Sequence, residues 1–243
     1  NELKNNSKAQ YFIVSGLPYD YSYKPLKNEA NQIRASLHKK GVNKIIAVFD
    51  EGGSFDERWH SGMRLQQENY SKIIIEMLNN KDLGLIFKPK SPKLLKKRLG
   101  DTYELVEEAI STGRCILYDK MDRHQSSVPV TLAGLASDLV VHTDLSAGTA
   151  ALECATLGKP VLLIDREGML YSKLNDLPLG KVRFNNWDDT ILAIKEFNPK
   201  KNQNLIGHWG EFIDEMDPYR DGLSANRIGT YMKWLIEGFN QSL

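Results

Sequence analysis

The chain is short of most features that announce a specialised protein. It has two cysteines, Cys115 and Cys154, far apart in 243 residues. That excludes a disulfide framework and a cysteine metal cluster, and leaves two small apolar side chains suited to a reducing compartment. No apolar run approaches the roughly 18 residues a membrane-spanning helix needs, and the opening residues carry no apolar leader pattern. Charge of neither sign dominates: 32 Lys and Arg against 31 Asp and Glu give +1, no global field to recruit nucleic acid. Internal repeats and low-complexity stretches are missing. HExxH, CxxC and GxSxG are missing too, so zinc-hydrolase and serine-esterase chemistry have no signature and no metal site is expected. Ser15-Gly16-Leu17-Pro18 does not complete a GxGxxG, so no dinucleotide or other cofactor is expected.

What is there is an alternation of short apolar runs with amphipathic stretches, the pattern of βα units and a parallel sheet. Strands are predicted at Tyr11–Ser15, Lys44–Phe49, Leu83–Phe87, Cys115–Tyr118, Asp138–Val141 and Val161–Ile164, with Val182–Phe184 as an edge. Helices are predicted from about Pro25, over Leu65–Leu78, around Leu105–Ile110, over Gly148–Leu157, and over Leu223–Phe239. The fold class is α/β: a doubly wound, Rossmann-like parallel sheet with helices on both faces. Residues 1–10 read as a polar linker, 11–222 as the domain, and 223–243 as a final helix. That helix either packs on the domain or crosses to another one. Asn1 stands where a start methionine would be, so the chain reads as a segment cut from a longer one, with a linker left at its front.

In an open parallel sheet ligands sit beyond the carboxyl ends of the strands. The strongest candidate there is the stretch Ser137 to Glu153, a strand that enters a small-residue turn and then a helix. Ser146, Gly148 and Thr149 stand at the helix start, where free N–H groups and the helix dipole favour an anion such as phosphate. The other reading is that Ser146 or Thr149 simply caps the helix. Glu153, on the exposed side of the first turns, is placed to accept both hydroxyls of a ribose, or else to serve as a dipole-stabilising surface residue. Lys88 ends a strand and offers a point charge for phosphate. His142, also at a strand end, is open to phosphate binding, proton donation or a structural role. Asp50 and Glu51 follow a strand and face the same cleft, available to an acceptor hydroxyl or a ribose. Arg220 is either an exposed turn residue or a phosphate-binding fork in the cleft. The run Lys88–Arg98 holds six basic and no acidic residues; a solvated helix face and a peripheral contact with an anionic membrane are its two readings.

The stretch Ser137–Asp165, SDLVVHTDLSAGTAALECATLGKPVLLID, resembles the nucleotide-sugar signature of GT-B-type glycosyltransferases. Those enzymes and the related UDP-sugar 2-epimerases pair a small-residue turn with a helix glutamate and a closing Gly-Lys-Pro strand, here Ser146–Thr149, Glu153 and Gly158-Lys159-Pro160. The Asp217-Pro218-Tyr219-Arg220-Asp221-Gly222 ending is similar to proteins of bacterial capsule and lipopolysaccharide assembly. The resemblance implies a nucleotide-sugar donor, a saccharide or lipid-linked acceptor, and a cytoplasmic protein that meets the inner membrane at most peripherally. No paired glutamate follows at the spacing of many retaining GT-B enzymes, and Asp144-Leu145 replaces the Asp-Ser-Gly-Gly of the epimerases, so neither subfamily is assigned. The catalytic base of such enzymes usually lies on the N-terminal acceptor domain, which the resemblance implies is missing from this chain, so no catalytic residue is named. A non-catalytic nucleotide-binding module and a sugar-nucleotide 2-epimerase are the alternatives.

Overall fold

The computed structural model describes residues 7–9, 11–18, 20–51, 53–57, 62–119, 128–145, 148–166, 168, 170–201 and 204–238. Its strands are β1 (Lys44–Phe49), β2 (Leu83–Lys88), β3 (Cys115–Leu117), β4 (Leu139–His142), β5 (Val161–Ile164) and β6 (Arg183–Phe184). All their pairings are parallel, in the order β3-β2-β1-β4-β5-β6. The chain therefore starts in the middle, winds outward to β3, returns beside β1 at β4 and winds the other way to β6.

Strands buried on both faces explain the continuous apolar runs. Alternate residues serve alternate faces. Ile46 and Val48 join one core with Tyr70, Ile73 and Met77 of α2 (Met63–Asn79). The same face receives α3 (Pro92–Leu99), α4 (Tyr103–Ser111) and α7 (Trp187–Glu196). Ile45, Ala47 and Phe49 join the other core, under α1 (Tyr23–His38), α5 (Val130–Ala136), α6 (Thr149–Thr156) and α8 (Phe212–Met216). Helices α5 and α6 meet closely. A Cβ built on Gly134 would lie 2.5 Å from the Cys154 sulfur, so only glycine admits this approach.

Two expectations are corrected. Tyr11–Ser15 forms no strand; Tyr11, Phe12, Ile13 and Val14 are exposed. The segment pairs with neither edge of the sheet and lies along α9 (Ser224–Glu237), with Tyr11 edge-on to Trp234 at 5.2 Å. Helices α5, α7 and α8 were not expected at all. Helix α9 leaves its apolar stripe exposed: of its residues only Ser224 is buried, while Met232, Trp234 and Ile236 are 56%, 48% and 70% exposed. Phe239 lies outside the described residues.

The start of α9 and the segment before α1 are clasped together. The Leu17 N–H donates to Asp217 Oδ2 at 3.0 Å, the Ser224 hydroxyl to the Ser15 carbonyl at 2.6 Å, and the Ser224 N–H to Asp20 Oδ2 at 3.3 Å. Gly16, between them, has φ +87° and no room for a Cβ, which would meet Asp217 Oδ1 at 2.9 Å.

Candidate functional site

The chain winds off in opposite directions from β1 and β4, so their carboxyl ends flank the crevice where an open α/β sheet accepts ligands. Register decides which side chains face it. Phe49 is paired with Lys88 on one side and His142 on the other, and His142 with Leu163. Phe49 and Leu163 belong to the core under α1, α5 and α6. Lys88 and His142 therefore stand in one row on that face, at the last position of their strands.

Lys88 is half-buried, and burial lowers its ammonium below the usual lysine range against the pull of Asp50, Glu153, Cys154 and Glu51. Glu153 projects from α6 into the same space. Burial raises its carboxyl, and Lys88 pulls it back down. Glu153 is thus half-buried against Lys88 rather than on the exposed side of α6, a correction that follows from a lysine on the neighbouring strand. Neither charge takes a hydrogen bond or ion pair from a described residue. Behind Glu153, the Tyr23 hydroxyl meets Thr156 Oγ1 at 3.1 Å, and burial pushes the Tyr23 phenol up to about 12.

His142 is wholly buried, and burial lowers its imidazole against Glu51 and Asp144. Its Nδ1 sits 2.6 Å from the Asp144 carbonyl, while Nε2 has no hydrogen-bond partner among the described residues and faces Glu51 Oε1 at 3.8 Å. A closed position of this kind gives His142 no surface for phosphate; it forms the wall behind Glu51. Glu51 in turn is ion-paired with Lys90.

Asp50 points to the opposite face. It accepts from Gln66 Nε2 and the Tyr70 hydroxyl, both at 2.8 Å, and from the Lys90 N–H at 2.7 Å. Both oxygens are thereby used in holding the loops after β1 and β2 to α2, and the carboxylate that looked available in sequence is an internal tie. Arg220 is likewise elsewhere. It adopts φ +48°, donates its N–H to Asp217 and pairs its guanidinium with Asp214, in the turn that builds the clasp.

Helix α6 begins at Thr149, with Gly148 at its cap and no capping side-chain hydrogen bond. A Cβ on Gly148 would sit 2.4 Å from Leu174 Cδ1. Ser146 lies outside the described residues. The structure thus gathers Lys88, His142, Glu51, Glu153, Gly148 and Thr149 along the crevice on one face of the sheet, and sets Asp50 and Arg220 apart. Sequence reasoning missed Tyr23, Gln66 and Tyr70, whose roles come from tertiary neighbours and leave no local signal.

Solved structures of the same architecture are known. A putative UDP-N-acetylglucosamine 2-epimerase from Listeria monocytogenes aligns with a TM-score of 0.59 and 17% identity over 98% of this chain. The structure of S. aureus MnaA with UDP aligns with 0.57 and 16% over 96%. The fold is GT-B-like. The N-terminal domain of Candida albicans trehalose-6-phosphate phosphatase shares it more loosely, with a TM-score of 0.52 and 14% identity over 87% of this chain. This GT-B-like chain spans 56%, 57% and 48% of those three chains respectively. No protein-family model and no curated protein matches it.

Proposed function

We propose that the chain binds a nucleotide-sugar at the crevice between β1 and β4 and forms the donor-binding part of a glycosyltransferase. The observation that carries this reading is the unmatched pair Lys88 and Glu153, beside the start of α6. An ammonium and a carboxylate that shift one another, with no hydrogen bond or ion pair to any described residue, suit a ligand with phosphate at one end and hydroxyls at the other. Diphosphate would meet Lys88 and the N–H groups at Gly148–Thr149; the ribose would meet Glu153. Charge developing on the leaving phosphate would be stabilised by the helix start and Lys88 without a metal. The acceptor would be a saccharide or lipid-linked saccharide of surface polysaccharide assembly, capsule or lipopolysaccharide. The chemistry would be cytoplasmic and any contact with the inner membrane peripheral, as the resemblance implies; no helix among the described residues is long and apolar enough to cross a membrane. The exposed apolar face of α9 supports a further domain packed there, carrying the acceptor site and the base.

A thermal-shift panel of CMP, CDP, UDP, GDP and their sugars tests the binding. Stabilisation by one family of nucleotides, lost in Lys88→Met, is the expected outcome; no shift with any of them would overturn the reading. The 2-epimerase reading is favoured by the Listeria structure. It predicts formation of an isomer from the nucleotide-sugar alone, whereas a transferase releases nucleotide only when acceptor is present.

A further inference from the structure

A second cluster lies on the α2 and α3 side of the sheet. There Phe55, in the loop after β1, lies against two cations of the last turn of α3. Lys97 Nζ is 4.9 Å and Arg98 Cζ 5.8 Å from the Phe55 ring centroid. Gln67 of α2 donates to the Arg98 carbonyl at 2.9 Å, which fixes where this side chain begins. The guanidinium is the anomaly. Its Nε and Nη1 are buried and meet no acceptor among the described residues, although a guanidinium offers five donors.

Asp50 is the carboxylate whose charge reaches Arg98, but its oxygens are already taken by Gln66, Tyr70 and the Lys90 N–H. Burial meanwhile pulls the Arg98 guanidinium below its usual range. Buried donors in folded proteins are almost always satisfied, so a pair left open needs an explanation. The Nε–H and Nη1–H bonds point in different directions, so the two unfilled donors call for acceptor oxygens of an anion rather than one bidentate grip, and Lys97 adds a second positive charge beside the same ring.

We propose that Arg98 and Lys97, beside Phe55, form a second anion-binding subsite, separate from the row at Lys88 and Glu153, that takes a carboxylate or phosphate group. Its use as the anchor for an acidic acceptor rests on the transferase reading; the anion site itself does not.

The test follows the Arg98 side chain directly. In the full chain labelled with ¹⁵N, the Arg98 Nε–H resonance is assigned by its loss in Arg98→Lys. Inorganic phosphate and acetate are then titrated separately at constant ionic strength. The resonance is expected to shift saturably with at least one of them, and the stronger of the two identifies the group. The shift should persist in Lys88→Met and in the presence of saturating UDP, and Arg98→Lys should change UDP affinity less than twofold. No saturable shift with either anion overturns the proposal. So does a shift that UDP competes away or Lys88→Met abolishes, since the two sites would then be one. Should Arg98→Lys fail to fold, Phe55→Leu assigns the same resonance through the lost ring current. A chain that binds no nucleotide but still shifts at Arg98 keeps the subsite and loses the transferase reading.

Discussion

Single residues carry the sharpest consequences, and Glu153 is the first. Glu153→Ala should weaken the bound nucleotide by about 1.5–3 kcal/mol, the range for hydrogen bonds to a charged group. A 2′,3′-dideoxy nucleotide should lose the same amount in the wild type and nothing more in the variant; additive losses in calorimetry would separate residue from ribose. Lys88 adds a pH dependence. Phosphate binding needs its ammonium, and burial lowers that ammonium's pKa below the ordinary 10.5. Affinity should therefore fall as pH rises, at lower pH than for an exposed lysine, and Lys88→Arg should flatten the profile. His142 acts on stability instead. Its folded pKa lies below 6.5 because the buried ring resists charge, so the unfolded chain takes up its proton first. Stability is then complete above that range and falls as the pH drops through it, by about 1.4 kcal/mol per pH unit for one proton. His142→Gln should remove that part of the acid limb in denaturant titrations between pH 7 and 5. Residue types at strand ends were legible in the sequence; their directions were not. Asp50 and Glu51 are neighbours with opposite faces, one tied to α2 and the other set against His142, and only the register of β1 decides between them.

At the scale of elements, the contact between α5 and α6 is the most exacting. Gly134→Ala places a methyl on the Cys154 sulfur and should cost about 1–3 kcal/mol, the usual range for overpacking. Cys154→Ala should return most of that loss in the double variant, measured by urea unfolding. The α6 start offers a second test. Gly148→Asp sets a carboxylate where a phosphate would lie, and should abolish nucleotide binding; Leu174→Ala in the same chain relieves the steric contact without restoring affinity. Retained binding in that double variant would remove the phosphate from this turn. Strands β1, β2 and β5 were readable almost to the residue because apolar runs bounded by turn residues fit a doubly covered sheet. Helix α5 was not, since VTLAGLA is short, small and apolar all round, with no period to detect. Tyr11–Ser15 has the composition of a strand, but composition does not say whether an open edge exists to receive it.

For the whole molecule, the exposed stripe on α9 and the segment along it decide behaviour in solution. Contiguous apolar surface of this kind promotes association. The chain should self-associate weakly in sedimentation velocity, with the sedimentation coefficient rising with concentration. Met232→Lys with Ile236→Lys should abolish the rise while leaving nucleotide affinity untouched. A monomer at all concentrations in the wild type would show that the stripe is tolerated as it stands, and would weaken the case for a domain packed on it.

The clasp has a consequence in time. Leu17 and Asp217 are 200 positions apart, so during synthesis the first must wait for the second. At ~5–20 residues per second that interval is on the order of 10–40 s. The β1–β4 sheet can assemble from chain already made, but Tyr11 to Val14 have nothing to rest on until α9 emerges. Until α9 is made, Tyr11 lacks the Trp234 ring and Leu17 the Asp217 carboxylate, so a chain that stalls before Asp217 cannot close the clasp.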